Sequence, residues 1–302
     1  MSAIRVNRIA TLTGHRDSVY ALETIPGSPV FFSGSGDGMV AQWKLGDEEG
    51  QSVAQLGASV YALKYDPVSG YLVAGHNFDG IHVLDWQARK QVTSLKLTAA
   101  AIFDIAVVDR KAIVASGDGK VTVVDLSSMT KVHELVASGQ SARVIAVRPD
   151  EKEMAIGYSD SHIRIFRLED FHVVADFPAH TNSVFCLRYT PDGGVLISGS
   201  RDARLKSWNS SQNYALMREV PAHLFAINDL RFSPDGKHFV TCSMDKSVKV
   251  WRSEDLTLLK VIDKARHGGH GTSVNKLLWS SFNSQIVSAS DDRTISVWDV
   301  IF

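Results

Sequence analysis

The residues best suited to chemistry in this sequence form four sets of a histidine, a hydroxyl side chain, an aspartate and a tryptophan. In each set the histidine lies 22 residues before the aspartate, the hydroxyl 4 residues before it and the tryptophan 6 residues after it. Ser, His and Asp together are the components of a hydrolase triad. The four sets are His15, Ser33, Asp37 and Trp43; His180, Ser198, Asp202 and Trp208; His223, Thr241, Asp245 and Trp251; and His270, Ser288, Asp292 and Trp298.

The repetition of this set favours a structural role. A catalytic triad occurs once in an enzyme, whereas this arrangement occurs four times at one spacing. A buried Trp N–H needs an acceptor, which the hydroxyl supplies, and the histidine and aspartate complete a hydrogen-bonded chain. Each bond contributes about 0.5–1.5 kcal/mol net, and its loss leaves buried partners unpaired at greater cost. We therefore predict a protein that is not an enzyme and has no catalytic residues.

Other reactive residues are few. The run from His267 to Gly271 is HGGHG, but His270 already belongs to one of the four sets, and no third ligand follows at a suitable spacing. Cys186 and Cys242 are the only cysteines, and both lie in apolar segments typical of buried strands. Phosphate-binding and protease motifs such as GxxxxGK[ST], GxSxG and HExxH are missing from the sequence. We predict no metal site and no cofactor.

Three short β-strands surround each of the four sets. An apolar segment, a turn with Pro, Gly or Asn, a second apolar segment, a turn with Asp and a β-branched segment follow one another. This order predicts strands joined by hairpins. Four copies that align almost without gaps are residues 18–43, 183–208, 227–251 and 273–298. Three weaker copies are residues 59–86, 102–126 and 142–166.

The copies recur with a period near 42 residues. The turn residue before the third strand marks the phase of each copy, and its intervals are 41, 40, 42, 42, 43 and 47 residues. Seven copies with this period account for the whole chain. The marker positions are Asp37, Phe78, Asp118, Asp160, Asp202, Asp245 and Asp292.

A period of this length that ends in Trp resembles the WD-repeat β-propellers, which have four strands per blade around a central channel. That family uses the His, Ser/Thr, Asp and Trp set, hereafter the tetrad, to stabilise each blade. The resemblance covers the whole chain and implies an all-β, seven-bladed propeller in one domain, residues 1–302. The implied blades are approximately residues 12–57, 58–98, 99–137, 138–177, 178–220, 221–263 and 264–302.

The ends of the sequence predict how the ring closes. The last copy stops after a third strand, and a spare strand within residues 1–11 precedes the first copy. We expect residues near 4–12 to complete the seventh blade, because this pairing removes two exposed strand edges.

The second, third and fourth copies lack the tetrad. Phe78, Leu84, Val124 and Phe166 occupy Asp or Trp positions, and no histidine precedes the first strands of these copies. We expect apolar packing to stabilise these blades instead. The loss either is tolerated by the ring or marks a partner that binds to the sides of the second to fourth blades.

The resemblance also implies where a partner binds. In family members that bind peptides, the contact residues surround the channel mouth at the start of each first strand. The corresponding positions here, the mouth ring, are Tyr20, Tyr61, Phe103, Arg143, Phe185, Asn228 and Asn275. A second ring precedes the turn aspartates and consists of Gly36, Asn77, Gly117, Ser159, Arg201, Met244 and Asp291. Of the second ring, Arg201 and Met244 are the candidate contact residues.

Aromatic and Arg side chains dominate binding surfaces, because they bury a large area and keep a polar group. Four aromatic residues and one Arg therefore favour a binding face at the first five positions of the mouth ring. Burial of these rings between blades, as part of the core, is the alternative for Tyr20, Tyr61, Phe103 and Phe185. Arg143 is harder to bury, and a carboxylate or a backbone carbonyl of an inserted peptide is its expected target.

Composition limits the possible partners. The formal net charge of −1 and a pI of about 6.8 provide no broad basic field for nucleic acid or anionic lipid. The N-terminus lacks a signal-peptide apolar segment, and two cysteines indicate a reducing compartment, so we expect a cytoplasmic protein. We predict a protein-interaction scaffold or adaptor, monomeric on its own and part of a larger complex, that binds a protein or peptide. A propeller that binds a small ligand, or a weak enzyme at the channel, is the alternative.

Overall fold

The chain forms seven four-stranded antiparallel sheets arranged as the blades of a ring. The computed structural model describes residues 4–302. Each blade is built from strands that are consecutive in sequence, except for the seventh. The predicted all-β, seven-bladed architecture with four strands per blade is confirmed.

The first four blades run from the channel outward in chain order. Blade 1 contains β2 (Val19–Thr24), β3 (Val30–Ser35), β4 (Met39–Lys44) and β5 (Gln51–Gln55). Blade 2 contains β6 (Val60–Tyr65), β7 (Leu72–His76), β8 (Gly80–Asp85) and β9 (Lys90–Lys96). Blade 3 contains β10 (Ile102–Val108), β11 (Lys111–Ser116), β12 (Lys120–Asp125) and β13 (Thr130–Val136). Blade 4 contains β14 (Ala142–Val147), β15 (Glu153–Tyr158), β16 (His162–Arg167) and β17 (Val173–Pro178).

The last three blades follow the same plan. Blade 5 contains β18 (Val184–Tyr189), β19 (Val195–Ser200), β20 (Arg204–Asn209) and β21 (Ala215–Pro221). Blade 6 contains β22 (Ile227–Phe232), β23 (His238–Ser243), β24 (Val248–Arg252) and β25 (Leu258–Ile262). Blade 7 contains β26 (Val274–Trp279), β27 (Ile286–Ser290), β28 (Ile295–Ile301) and β1 (Arg5–Leu12). The helical segments are a 3₁₀ turn (Ser210–Gln212) and α1 (Lys264–His267).

The ring is closed by the two ends of the chain. β1 pairs antiparallel with β28, from Arg5 opposite Ile301 to Leu12 opposite Ile295. The innermost strands of neighbouring blades contact each other all the way round, including β2 against β26. Closure by the N-terminal strand is therefore confirmed from Arg5 onward, whereas residues 1–3 of the predicted closing strand lie outside the described residues.

The core lies between the faces of adjacent blades. Small residues on the second strands allow the next blade to approach closely. A Cβ atom at Gly34 would come within 2.7 Å of Val60, and one at Gly75 within 2.6 Å of Ile102. Only glycine fits at these positions without movement of the next blade.

Each tetrad is a continuous hydrogen-bonded chain. In blade 5, Trp208 Nε1 donates to Ser198 Oγ at 2.9 Å, and Ser198 Oγ lies 2.8 Å from His180 Nε2. His180 Nδ1 lies 2.9 Å from Asp202 Oδ2. The Ser hydroxyl can therefore accept from Trp and donate to His, while His Nδ1–H donates to the carboxylate.

The other three tetrads repeat this arrangement. The distances from Trp Nε1 to the hydroxyl are 2.7, 2.8 and 2.9 Å, and those from the hydroxyl to His Nε2 are 2.7, 2.7 and 2.9 Å. The link from His Nδ1 to Asp is longest in blade 1, at 3.4 Å. These residues bond to each other rather than forming an open site, which is the structural arrangement that their repetition indicated.

The three blades without a tetrad replace the buried Trp by apolar side chains. Leu84, Val124 and Phe166 occupy the Trp positions and are fully buried. None of these side chains carries an N–H, so no hydroxyl is needed beside them.

Apolar packing is supplemented in blades 3 and 4 by hydrogen bonds of the turn aspartates. Asp118 Oδ2 accepts a hydrogen bond from Thr98 Oγ1 at 2.9 Å. Asp160 Oδ2 accepts one from Ser138 Oγ at 2.7 Å. A hydroxyl side chain thus takes the place of the histidine as one donor to the turn carboxylate, which also accepts from Ser116 Oγ in blade 3 and pairs with Arg164 in blade 4.

Within residues 4–302, no helix combines the length and the apolar character needed to cross a membrane.

Removal of one tetrad hydroxyl tests this arrangement. Ser198→Ala leaves the Trp208 N–H and His180 Nε2 buried without their shared partner. We expect the free energy of unfolding to fall by about 2–4 kcal/mol in urea denaturation. Adding Trp208→Phe removes the unpaired N–H, so the double variant should lose less than the two single variants together. The exposed control Ser211→Ala should change stability by less than about 0.5 kcal/mol; equal losses in both serine variants would contradict the account.

Candidate functional site

The mouth ring is formed by one β-bulge in each of the seven blades. In every blade the register between the first and second strands shifts at the second residue of the first strand. A bulge leaves one residue unpaired and changes the direction of its side chain. The unpaired residues are Tyr20, Tyr61, Phe103, Arg143, Phe185, Asn228 and Asn275.

The first five members of the ring contact each other in sequence. Tyr20 and Tyr61 pack edge to face with ring centroids 4.6 Å apart. Tyr61 and Phe103 are stacked at 6.1 Å. The Arg143 guanidinium lies over Phe103, with Cζ 4.1 Å from the ring centroid, and 4.9 Å from the centroid of Phe185. A continuous aromatic and cationic surface therefore extends over blades 1 to 5.

These side chains line a cavity at the channel mouth. Tyr20, Tyr61, Phe103 and Phe185 are half-buried. They do not belong to any of the seven apolar clusters that residues 4–302 form between the blades. The cavity over which they converge has a volume of about 270 Å³. The four aromatic side chains are thus only partly buried, and contacts within the mouth ring, rather than packing in the core between blades, bury them.

Arg143 carries a charge that the neighbouring residues do not neutralise. Among residues 4–302 its guanidinium makes no ion pair, and its buried Nε has no hydrogen-bond partner. Burial lowers the pKa of Arg143, and the charge of Arg201 lowers it further. Arg201 itself is exposed. Two cations thus stand at the mouth over blades 4 and 5.

The two asparagines of the ring bond to neighbouring blades. Asn228 Nδ2 donates to the carbonyl oxygen of Val274 at 2.8 Å. Asn275 Nδ2 donates to the carbonyl oxygen of Val19 at 3.2 Å and to Asp291 Oδ1 at 2.7 Å. Their amide donors join blade 6 to blade 7 and blade 7 to blade 1, so the polar part of the ring also holds the blades together.

Comparison with known protein families decides the classification. The family model for the WD domain, G-beta repeat, matches residues 6–44, 171–209, 215–252 and 262–299, together just over half of the chain. Each matched segment contains one complete tetrad. The chain belongs to the WD40 family. WD40 propellers are typically protein-interaction scaffolds and are generally non-catalytic.

Several curated proteins are similar to this WD40 chain. The striatin homologue of Dictyostelium discoideum is 24% identical over 65% of the chain, FIZZY-RELATED 2 of Arabidopsis thaliana 27% over 68%, and the guanine nucleotide-binding protein subunit beta-like protein 1 of Mus musculus 29% over 46%. The alignments cover 26%, 44% and 44% of these relatives. The chain therefore matches less than half the length of each.

An exposed apolar patch adjoins the mouth on blade 6. Met244, a candidate from the second ring, is 52% exposed, and its N–H donates to the carbonyl oxygen of Ala226. Leu224 and Phe225 directly precede Ala226 in the loop between β21 and β22, and they are 82% and 61% exposed. Sequence reasoning missed these two residues, although two large apolar side chains directly after the tetrad histidine His223 were a readable signal.

Below the mouth, the WD40 channel contains a buried charge cluster around Asp229. Asp229 Oδ2 lies 3.1 Å from Arg231 Nε and accepts from the Leu277 N–H, while Oδ1 lies 3.7 Å from Arg188 Nη2. Burial alone would raise the pKa of Asp229, but the charges of Arg231, Lys276 and Arg188 outweigh it and hold the pKa at about 2. Asp229 thus neutralises surrounding cations, which is a structural task.

A second group missed by sequence reasoning lies on the β7–β8 hairpin of blade 2. Ligand atoms of His76, Asp79 and His82 lie within 4.8 Å of one another. The spacing HxxDxxH could have indicated this group, because a tight hairpin places its two ends and its turn side by side.

The depressed pKa of Asp229 predicts an acid-dependent stability. Because the folded-state pKa lies near 2 rather than at the ordinary aspartate value of 3.8, the ionised carboxylate contributes about 2 kcal/mol above pH 4. This contribution is lost as the pH falls through about 2. The difference in unfolding free energy between wild type and Asp229→Asn should therefore shrink from pH 7 to pH 2. The exposed control Glu254→Gln should show no such trend, and a pH-independent difference for Asp229→Asn would contradict the assignment.

Proposed function

We propose that this chain is a non-catalytic scaffold that binds an extended segment of a partner protein across its channel mouth. The observation that carries the proposal is the contact run from Tyr20 to Phe185, with the unneutralised Arg143 held between two aromatic rings. The proposal extends the typical role of WD40 propellers to a particular face of this one.

The geometry of the mouth favours an acidic segment. A carboxylate that reaches Arg143 would form a charge-assisted hydrogen bond in a partly desolvated place, where such bonds are strong. Arg201 lies close enough to reinforce the attraction, since its charge lowers the pKa of Arg143 in addition to the effect of burial. An aspartate, a glutamate or a chain-terminal carboxylate is the group we expect at this position.

Apolar side chains of the same segment would cover the aromatic surfaces on either side. Rigid aromatic rings bury a large area at low cost in conformational entropy, which makes them frequent hot spots of binding. Leu224, Phe225 and Met244 extend this apolar surface over blade 6. Burial of these exposed side chains by a partner would remove a solvent-accessible patch that is costly for an isolated protein.

The names of two relatives agree with this role. The Mus musculus protein is named as similar to a beta subunit of a guanine nucleotide-binding protein, and a Danio rerio relative is named a THO complex subunit homologue. We propose that this chain likewise works as a monomeric component of a larger complex, with protein rather than nucleic acid or membrane as its partner. Cys186 and Cys242 are buried free thiols, which supports a reducing, cytoplasmic environment.

A comparison of matched variants tests the proposal. The mouth variant Tyr20→Ala/Tyr61→Ala/Phe185→Ala removes three rings, and Arg143→Met removes the charge but keeps an apolar chain of similar length. The control Val92→Ala/Val132→Ala/Val173→Ala truncates three exposed side chains of outer strands. Partners are captured from a lysate of the source cells, crosslinked, and their contact segments identified by mass spectrometry. Peptides of those segments are then titrated against each variant after its melting temperature has been compared with wild type.

We expect the peptide to bind the mouth variant and Arg143→Met at least about 30-fold more weakly, because a hot-spot side chain contributes 2 kcal/mol or more. The outer-strand control should bind like wild type. Crosslinks on the sides of blades 2 to 4, or binding that survives both mouth variants, would contradict the proposal. A small molecule rather than a peptide retained by the wild type would favour a ligand-binding channel instead.

A further inference from the structure

We propose that the β7–β8 hairpin of blade 2 is a binding site for one divalent transition-metal ion, with Zn²⁺ as the ion that best fits its ligands. Two imidazoles and one carboxylate, those of His76, His82 and Asp79, supply the ligand atoms. Imidazole nitrogen and carboxylate oxygen are common zinc ligands, and three protein ligands with a fourth open position are typical of accessible zinc sites.

The hairpin places the three side chains together. His82 pairs with Ala74 and His76 pairs with Gly80, so the two histidines are diagonal neighbours on one face of the two strands. Their ring centroids lie 5.0 Å apart. Asp79 belongs to the turn between them, and its carboxylate Oδ2 lies 3.1 Å from His82 Nε2.

The spacing of these atoms suits a tetrahedral ion. Zinc bonds to nitrogen and oxygen of about 2.0–2.2 Å place two ligands of a tetrahedron roughly 3.3 Å apart. The distance of 3.1 Å from Asp79 Oδ2 to His82 Nε2 is close to that value. The His76 ligand atom lies within 4.8 Å of both, so a small side-chain rotation completes the set.

The hydrogen bonds of His82 favour a cation between His82 and Asp79. His82 Nδ1 lies 2.8 Å from Gln91 Oε1, and a neutral imidazole has only one N–H to donate. With Nδ1–H donated to Gln91, the lone pair of Nε2 faces the carboxylate of Asp79, an arrangement of two acceptors that a metal ion would stabilise. Gln91 then has the role that outer partners usually have in metal sites, because it fixes the orientation of the ligating imidazole.

His76 adds an independent observation. Its Nδ1 is buried and has no hydrogen-bond partner among residues 4–302. A buried polar atom without a partner is costly, and such atoms often mark a bound ion or water. Coordination by the His76 ring would give this side chain a polar partner in blade 2.

Blade 2 also lacks the tetrad that stabilises the corresponding hairpin in blades 1, 5, 6 and 7. Phe78 and Leu84 occupy the tetrad positions of Asp and Trp, so no tetrad holds the turn. In blades 3 and 4 the turn aspartates Asp118 and Asp160 instead accept hydrogen bonds from hydroxyl groups. Asp79 lies one position later and is 36% exposed, which leaves its carboxylate open to an ion from solution.

Metal titration of the full chain tests the proposal. The protein is treated with a chelator, and Zn²⁺ binding is then followed by isothermal titration calorimetry, with Co²⁺ absorption as a report on coordination geometry. We expect one ion per chain and a tetrahedral Co²⁺ spectrum. His82→Asn and Asp79→Asn should each weaken binding by at least about 10-fold to 100-fold, and Zn²⁺ should raise the melting temperature of wild type but not of these two variants.

The matched control is His162→Asn, which breaks another His–Asp pair on the sheet surface, with His162 Nδ1 2.7 Å from Asp176 Oδ1. It should bind Zn²⁺ like wild type. Loss of affinity in the control equal to that in His82→Asn, or a wild type that binds no ion, would overturn the proposal. His76→Asn leaves the His82–Asp79 pair intact. Weaker Zn²⁺ binding by this variant, with a metal-free melting temperature equal to that of wild type, would show loss of a ligand and not a folding defect.

Discussion

The pairing of β1 with β28 is the constraint on which the rest of the molecule depends. Seven sheets that pack face to face can bury both faces of every blade only if the last blade returns to the first. The chain achieves this by giving its first strand to its last blade, so that strands separated by almost the whole sequence become neighbours. An open ring would leave the third strand of blade 7 as an exposed edge, which proteins rarely tolerate.

Closure also fixes the mouth. The seven bulged residues face one another only because the first strands stand in a complete circle, and the bulges repeat at the same register in each blade. The stacked aromatic rings and Arg143 form a surface because consecutive blades present one residue each. The amide groups of Asn228 and Asn275 then join blades 6, 7 and 1, where the two ends of the chain meet. The mouth ring lies on the innermost strands, and these stand in a complete circle because β1 and β28 close blade 7 at its outer side.

Sequence determined the architecture well because the architecture is periodic. A repeat near 42 residues and three constant spacings within the tetrad were enough to predict seven blades and the closing strand, whereas the mouth ring was implied by the resemblance to WD-repeat proteins that bind peptides. Details within single blades were not predictable in the same way. Ser138 lies 22 residues before Asp160, the spacing of His to Asp in a tetrad, and Thr98 lies 20 residues before Asp118, but a hydroxyl group as the donor at this position is not part of the tetrad pattern.

The mouth illustrates the same limit. The residue types at Phe103, Arg143 and Phe185 were readable, but the placement of the guanidinium between two rings results from side-chain geometry in three different blades. The group of His76, Asp79 and His82 was not predicted, because it lies in a blade whose sequence departs from the repeat pattern on which the predictions rest. The charge cluster around Asp229 was not readable from the sequence, since Arg188 and Lys276 lie on the first strands of the two neighbouring blades.

Native-state hydrogen exchange of the β1 amides tests ring closure most directly. β1 should exchange as slowly as β21, the outer strand of blade 5. Unlike β1, β21 follows its pairing partner β20 directly in the sequence. Equal protection of the hydrogen-bonded amides in both strands would mean that β1 is held as firmly as an outer strand of a blade that is continuous in sequence. Rapid exchange of β1 beside a protected β21 would show that the ring opens under native conditions, and would contradict the account.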